Sequence, residues 1–363
     1  MKIKSLKLRN YRNYDILKID FDEAANIFYG DNAQGKTNIL EAVYLTGTTK
    51  SHRGSKDRDM IKFGCDESHL ETIIEKNGID YQIDMHLKRN GSKGIAINKI
   101  PIKRASELFG VVNLVFFSPE DLNVIKNGPS ERRRFIDMEL SQLDKVYMNN
   151  LSNYNKIVNQ RNHLLKDMMF QDHDSLKSTL DVWDMQLIHY GSKIIERRKD
   201  FICEINEIIS SIHKKLTGNR EDIKVVYEPN HGDQSLEDAV YRNRERDIRL
   251  KSTSAGPHRD DIRFMAGDMD IKKYGSQGQQ RTAALSLKLS EIELVKKSIN
   301  DTPILLLDDV LSELDKHRQN YLLDSICDIQ TLITCTGVEE FVNYRFSINK
   351  VFHIQNGHVI REN

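Results

Sequence analysis

The octapeptide GDNAQGKT, Gly30 to Thr37, has the pattern G-x-x-x-x-G-K-T. Its glycines let the backbone fold back so that successive N–H groups converge, and convergent N–H groups at a helix start bind phosphate oxygens. Asp31, Asn32, Ala33, Gln34 and Gly35 would supply the cradle. Lys36 would reach the β- and γ-phosphates, and the Thr37 hydroxyl would ligate Mg²⁺. A second stretch, ILLLDDV at 304–310, delivers two acids at the end of an apolar run. Asp308 there can hold Mg²⁺, and its neighbour Asp309 can polarise an attacking water. SELD follows at 312–315, and residues 301–315 hold five carboxylates and no Lys or Arg. Read locally, SELD is a helix cap with Ser312 at its head. A third stretch, YGSQGQQR at 274–281, has two glycines and three glutamines and opens directly into an apolar-periodic helix. Ser276, Gln277, Gly278 and Gln279 therefore sit at a helix N-terminus, where four backbone N–H groups lack helical partners. That loop is either a plain turn and cap or a waiting anion site.

These segments need elements to hold them. KIKSLKLRNY, ILKIDF and ANIFYG alternate as strands and bring the chain to Gly30, and NILEAVYLTG continues as a helix. Residues 68–103 predict strands, with NG pairs at 77–78 and 90–91 as hairpin signals. VVNLVFF is a buried strand. From 130 to about 169 apolar residues recur at three- and four-residue steps, and a second long helix follows the polar break FQDHDS. Together they predict an antiparallel helical hairpin. GPHRDDIRFM and DMDIKKYG predict a β-hairpin. TAALSLKLSEIELVKK predicts an amphipathic helix. The chain then runs strand, helix, strand (TLITCT) and two terminal strands around VFHIQNGHVI. The expected division is 1–117 with 253–363 as one domain, and 118–252 as an inserted helical arm.

Bulk composition excludes more than it assigns. Lys+Arg and Asp+Glu both number 54, so net charge is zero and nucleic-acid binding must come from local patches. Residues 86–104 carry six Lys/Arg and no acid, and 48–64 is a second basic stretch. Lys88, Arg89, Lys93, Lys50 and Arg53 are the DNA-contact candidates, although a charge run is commonly just a solvated face. Arg12, His52 and Arg53 are further candidates near a nucleotide, and 132–134 is a third basic cluster. No run approaches the roughly 18 apolar residues a membrane span needs. The N-terminus lacks a signal-peptide core, which predicts a cytoplasmic protein. Cys65, Cys203, Cys327 and Cys335 form no C-x-x-C pair and predict reduced packing residues.

A P-loop, a Ser-x-Gly-Gln loop opening a helix, an apolar strand ending in two acids and then Ser-x-Leu-Asp, in that order, resemble the heads of ATP-binding-cassette (ABC) ATPases and of SMC proteins. LKLRNYRNY, FSPEDLNVIKNGPSERRRFID, SAGPHRDDI, YGSQGQQR and LLLDDVLSELD together resemble the RecF family of recombination mediators, along essentially the whole chain. The resemblance implies an α/β fold, an ABC-type P-loop ATPase head with a mixed sheet, flanking helices, a β-rich lobe and an inserted helical hairpin arm. It implies ATP and Mg²⁺ as cofactors and a homodimer formed on ATP. In that dimer Ser276, Gln277, Gly278 and Gln279 bind the γ-phosphate held by the partner copy, with Ser312 and Asp315 as D-loop. Lys36 and Asp309 are the implied catalytic residues of a weak, DNA-stimulated ATPase that serves as a switch. The implied setting is recombinational repair at single-strand gaps, with RecR and RecO promoting RecA loading.

Three departures from cassette patterns stand out. The second acid is Asp309 where many cassettes have Glu, which sets the carboxylate about one methylene further from the water and fits slow turnover. No glutamine follows VVNLVFF, where Ser118 and Glu120 stand. No histidine follows TLITCT either; Thr336 and Gly337 occupy the place of a transporter's switch histidine. The competing reading is a cassette that couples ATP to a protein partner without DNA.

Overall fold

The computed structural model describes residues 1–168, 173–337 and 348–362. In chain order the strands and helices are β1 (Lys2–Tyr11), β2 (Tyr14–Asp20), β3 (Ala25–Tyr29), α1 (Lys36–Thr48), α2 (Asp57–Met60), β4 (Glu67–Lys76), β5 (Ile79–Lys88), β6 (Gly94–Ile97), β7 (Ile100–Pro101) and β8 (Leu114–Phe117). There follow α3 (Leu122–Lys126), α4 (Pro129–Leu143), α5 (Lys145–Asp167), α6 (His173–Thr217), β9 (Lys224–Glu228), α7 (Leu236–Arg242), α8 (Arg244–Leu250), β10 (Asp261–Ala266), β11 (Met269–Asp270) and α9 (Ile271–Tyr274). The last elements are α10 (Gln277–Ile299), β12 (Ile304–Asp308), α11 (Lys316–Ser325), β13 (Thr331–Cys335), β14 (Ile348–Gln355) and β15 (His358–Glu362). Two compact units result, Met1–Asp121 with Lys288–Asn363, and Leu122–Leu287.

The first unit holds two six-stranded sheets. One runs β15-β14-β3-β13-β12-β8, parallel from β14 to β8, with β15 antiparallel at its edge. The other, β2-β1-β4-β5-β6-β7, is antiparallel throughout. Helix α1 touches both sheets and is buried from Ile39 to Thr48. A helix covered on both sides has no solvent stripe, and its apolar residues join those of both sheets in one core. The strands β3, β13, β12 and β8 are buried almost along their whole length and largely apolar, as parallel strands covered on both faces require.

In the second unit, the apolar steps that predict one helix from 130 to about 169 belong to two. Asp144 leaves helical geometry and accepts hydrogen bonds from the N–H groups of Val146 and Tyr147, so α4 ends and α5 begins there. The α5–α6 pair is antiparallel. Arg198 reaches Tyr147 at one end (3.0 Å), and Arg161 reaches Asp184 (2.6 Å) nearer the other. The turn FQDHDS begins at residues outside those described. Met269–Asp270 is the only strand in DMDIKKYG; Asp270 then caps the single turn α9, so the expected hairpin is two residues long on that side. Helix α10 also departs from expectation. Every residue from Thr282 to Ile292 is buried, Ser286, Lys288, Ser290 and Glu291 included, and Lys288 and Glu291 pair at 2.5 Å. Between Thr282 and Ile292 it is an interior helix, with Lys288 held by Glu291 and Ser286 by His213.

The SAGPHRDD loop is fixed by the second unit's buried polar network. Gly256 has φ +129°, and a Cβ there would lie 2.1 Å from the Tyr154 hydroxyl. That hydroxyl is 2.7 Å from His258 Nδ1, and Nε2 is 3.1 Å from the Thr253 carbonyl. A carbonyl only accepts, so His258 carries its hydrogen on Nε2 and takes the tyrosine proton at Nδ1, the neutral tautomer. Burial, seconded by Arg259, Arg133 and Arg161, lowers its pKa to about 4. The unfolded chain binds this proton near pH 6.5. Its stabilising contribution is therefore whole at neutral pH and disappears as pH falls from about 6.5 to about 4. In urea melts, the stability gap between the natural chain and His258→Asn should shrink by up to about 3 kcal/mol over that window. A gap independent of pH would contradict this.

Candidate nucleotide-binding site

Gly30 to Gly35 joins the end of β3 to α1, which opens with Lys36 and Thr37, the position where open α/β sheets bind phosphates. Two glycines there are obligatory. Gly30 has φ +145° and a Cβ would meet the Ile354 carbonyl oxygen at 2.3 Å. Gly35 has φ +114° and a Cβ would strike the Asn13 amide at 2.6 Å and the Tyr14 hydroxyl at 2.8 Å. Ala33 takes the left-handed conformation too, at φ +65°. Asp31 and Asn32 are exposed at the tip. The buried Lys36 turns its ammonium back across the loop to the carbonyls of Gly30 (2.7 Å) and Asp31 (2.9 Å).

The acidic strand end meets this loop directly. The parallel order β3-β13-β12 sets their C-terminal ends side by side. Thr37 Oγ1 donates to Asp308 Oδ1 at 2.8 Å, and Thr334 Oγ1 from the intervening β13 donates to the same oxygen at 2.8 Å. Burial raises the Asp308 pKa, the two threonine hydroxyls oppose the rise, and Asp309 adds to it. Asp309 stands at φ +52° with its N–H on Thr334 Oγ1 at 3.0 Å. An aspartate tolerates this left-handed geometry better than most residues. The Ser312 hydroxyl donates to the Asp309 carbonyl at 2.8 Å. The cap of α11 is Asp315, whose carboxylate accepts from the Arg318 N–H (3.0 Å) and guanidinium (2.6 Å). Ser312 is thus one turn too early to be that cap. A hydroxyl and a carboxylate oxygen at hydrogen-bonding distance, flanked by a second acid, make the all-oxygen donor set a hard divalent cation favours.

Several residues that position the loop escape motif reading. Asn13, in the β1–β2 turn, donates to the Gln34 carbonyl (3.0 Å) and accepts from Asn38 (2.8 Å). The β14–β15 turn holds Gln34 from the other side, where its side-chain oxygen accepts from the Asn356 N–H (2.6 Å) and its carbonyl from the Gly357 N–H (3.1 Å). His353 stacks on Tyr29, with centroids 4.7 Å apart. The NG pair at 356–357 was the only local sign of this brace.

Arg12 does not face the loop. Its guanidinium grips Glu41 in two bonds of 2.7 and 2.6 Å and also reaches Ser55. Burial works against the Glu41 charge, but Arg12 and Ser51 outweigh it and hold the carboxyl below its usual range. His52 stacks on Phe116 at 4.2 Å. Exposed Arg53 donates to Asn38 Oδ1 at 3.3 Å, one residue from Thr37. Lys50 and Lys88 are exposed. Arg89 caps the Cys65 carbonyl with bonds of 3.0 and 2.8 Å. Lys93 is bound to Asp57 at 3.0 Å and to the Thr49 carbonyl. In the second unit, Arg132 is buried in a two-bond pair with Asp261.

Ser276, Gln277, Gly278 and Gln279 belong to that second unit and open α10. Ser276 and Gln279 cap one another: the Ser276 N–H donates to Gln279 Oε1 (2.8 Å) and the Gln279 N–H to Ser276 Oγ (3.2 Å). Ser276, Gln277 and Gly278 are solvent-exposed. A self-capped helix start that remains open to solvent can still present its N–H groups to an anion.

The parallel sheet, its phosphate-type loop on α1 and the acidic end of β12 define an ABC-type P-loop ATPase head. A solved SMC head from Pyrococcus furiosus superposes with a TM-score of 0.56 over 98% of this chain and 94% of its own, at 16% identity, a likeness of fold alone. A family model described as the RecF/RecN/SMC N terminal domain matches residues 2–359. The DNA replication and repair protein RecF of Lachnospira eligens is 62% identical over the full length of both chains. That of Clostridium perfringens is 44% identical over 99% of each. A solved recombination mediator RecF–ATP structure in the RecFOR pathway matches with a TM-score of 0.92 at 33% identity, covering 100% of this chain and 97% of its own. The chain belongs to the RecF family.

Proposed function

We propose that this protein is an ATP-gated DNA-binding switch of recombinational repair. Two copies pair when ATP is bound, the P-loop of one facing the Ser276–Gln279 loop of the other. Gly30 to Thr37 wraps the phosphates, with Lys36 on the β- and γ-phosphates. Thr37 and Asp308 would hold Mg²⁺, which neutralises phosphate charge when bound. Asp309 accepts the proton of the attacking water, and its short side chain keeps turnover low. Ser312 and Asp315 lie on the segment that follows Asp309 and belong to the same dimer seam. The observation that carries this reading is the meeting of Thr37 and Asp308 at 2.8 Å across 271 residues of chain, since a cation–triphosphate site needs both at one place.

Pairing would double the basic side chains presented to DNA without a large net charge. Exposed Lys50, Arg53 and Lys88 are the favoured contacts; Arg89 and Lys93 are more engaged within the fold. The target is the single-strand gap, where RecR and RecO act with this protein to place RecA, in the cytoplasm. Among the described residues no helix is long and apolar enough to cross a membrane.

Mobility shifts on gapped, nicked and blunt DNA test the reading. Binding should strengthen with ATP, favour gapped DNA and weaken steeply with salt. Binding indifferent to ATP would favour a cassette serving a protein partner. Asp309→Asn should bind ATP normally, hydrolyse it at least about a hundredfold more slowly and accumulate as dimer on DNA. Turnover at the natural rate in that variant would remove Asp309 from its role.

A further inference from the structure

One cluster outside the nucleotide site has donor chemistry of a different kind. His69 on β4 and His86 on β5 face each other in the antiparallel ladder. Their rings stack with centroids 4.1 Å apart and an angle of 18°. Glu67 precedes His69 by two residues and so shares its face of the sheet. One carboxylate oxygen lies 2.8 Å from His86 Nε2 and the other 3.6 Å from His69 Nε2. One donor atom from each of the three falls within 4.8 Å of the others. We infer that Glu67, His69 and His86 form a binding site for a divalent transition-metal ion of the zinc class.

The geometry needs little adjustment. Zn²⁺ binds imidazole nitrogen and carboxylate oxygen at about 2.0–2.2 Å, which sets tetrahedral ligand atoms roughly 3.3 Å apart. The side chains are partly exposed and can rotate to close the gap of at most about 1.5 Å, while the ten-residue strands β4 and β5 fix the backbone beneath them. The space beside His86 is open because its partner on β6 is Gly94, where a Cβ would touch nothing nearer than the His86 Cβ at 3.9 Å. That leaves a fourth position for water or for a ligand from another molecule. Two imidazoles and one carboxylate suit Zn²⁺, Co²⁺ or Ni²⁺, whereas Mg²⁺ prefers oxygens alone, so this site and the Thr37–Asp308 pair select different ions. Arg9 and Lys88, ladder partners of His69 and Glu67, work against a cation, and Glu71 on the next same-face rung is taken up by Lys7 at 2.6 Å; Asp84, facing Glu71, offsets them only in part. A bound ion would cross-link β4 to β5 just before the basic turn at Lys88 and Arg89. The inference does not depend on the proposed DNA switch.

The test is Co²⁺ titration of the reduced, nucleotide-free full chain, followed by visible absorption, with Zn²⁺-dependent thermal melts alongside. The natural chain should develop a d–d band saturating at one equivalent and melt higher with Zn²⁺. The double variant His69→Ala/His86→Ala should lose both effects while binding ATP as before, which also controls for the exposed thiols of Cys203 and Cys327. His86→Cys should keep the cobalt band and gain a thiolate charge-transfer band. The inference fails if the natural chain shows no band, if the double variant keeps it, or if His86→Cys gains no sulfur transition.

Discussion

Lys36→Ala should weaken ATP binding by at least about a hundredfold, or ~3 kcal/mol, as measured by isothermal titration. Two roles combine in that loss. The ammonium would supply charge-assisted hydrogen bonds to phosphate, and it ties the carbonyls of Gly30 and Asp31 across the loop. The side chain is buried, so no neighbouring lysine can replace it by moving. The fold should survive, because the glycine geometry and the braces at Asn13, Asn356 and Gly357 remain. An unchanged circular dichroism spectrum with lost ATP binding is the expected combination. Retained affinity would mean that Lys36 does not contact the triphosphate.

The second large effect concerns the other unit. Ser276→Arg should leave the ATP affinity of a single copy unaltered and abolish ATP-dependent dimerisation, shifting the association constant by more than about a hundredfold in analytical ultracentrifugation. The substitution puts a long side chain at an exposed helix start and removes the half of the cap in which the Ser276 hydroxyl accepts from the Gln279 N–H. Loss of such a cap costs only about 1 kcal/mol locally. The obstruction of an incoming phosphate and partner surface would therefore dominate, and a Ser276→Gly control, which loses the cap but keeps the space, separates the two. Dimers of normal strength in the arginine variant would show that the loop is only a cap.

Segments with a short-range rule were legible in the sequence. The glycine–lysine–threonine spacing at 30–37 is local geometry, and four apolar residues before Asp308 are enough to mark a buried strand. Their meeting, expected from the resemblance, was not legible in the spacing itself, since it depends on β13 pairing between β3 and β12, and on Thr334, which no motif marks. The Asp144 break between α4 and α5 hid because apolar steps continue across it in phase. Asp315, one turn beyond the expected Ser312, caps α11 because Val310 to Leu314 is spent on a short turn of its own. Helix α10 misled for a different reason: its serines, Lys288 and Glu291 look like a solvent face and are instead buried with partners. Arg12, a plausible phosphate contact by position, is committed to Glu41.

The central claim is that each triphosphate is completed by two copies, and a complementation assay tests it most directly. Neither Lys36→Ala nor Ser276→Arg should hydrolyse ATP alone. In a mixed dimer, the intact P-loop of one faces the intact Ser276 loop of the other, so one of two sites is whole. Neither variant pairs with itself on ATP, so the mixed dimer is the one that forms, and an equimolar mixture should regain up to roughly half of natural activity per chain. A mixture as inactive as its components, or a Ser276→Arg chain active by itself, would contradict the account.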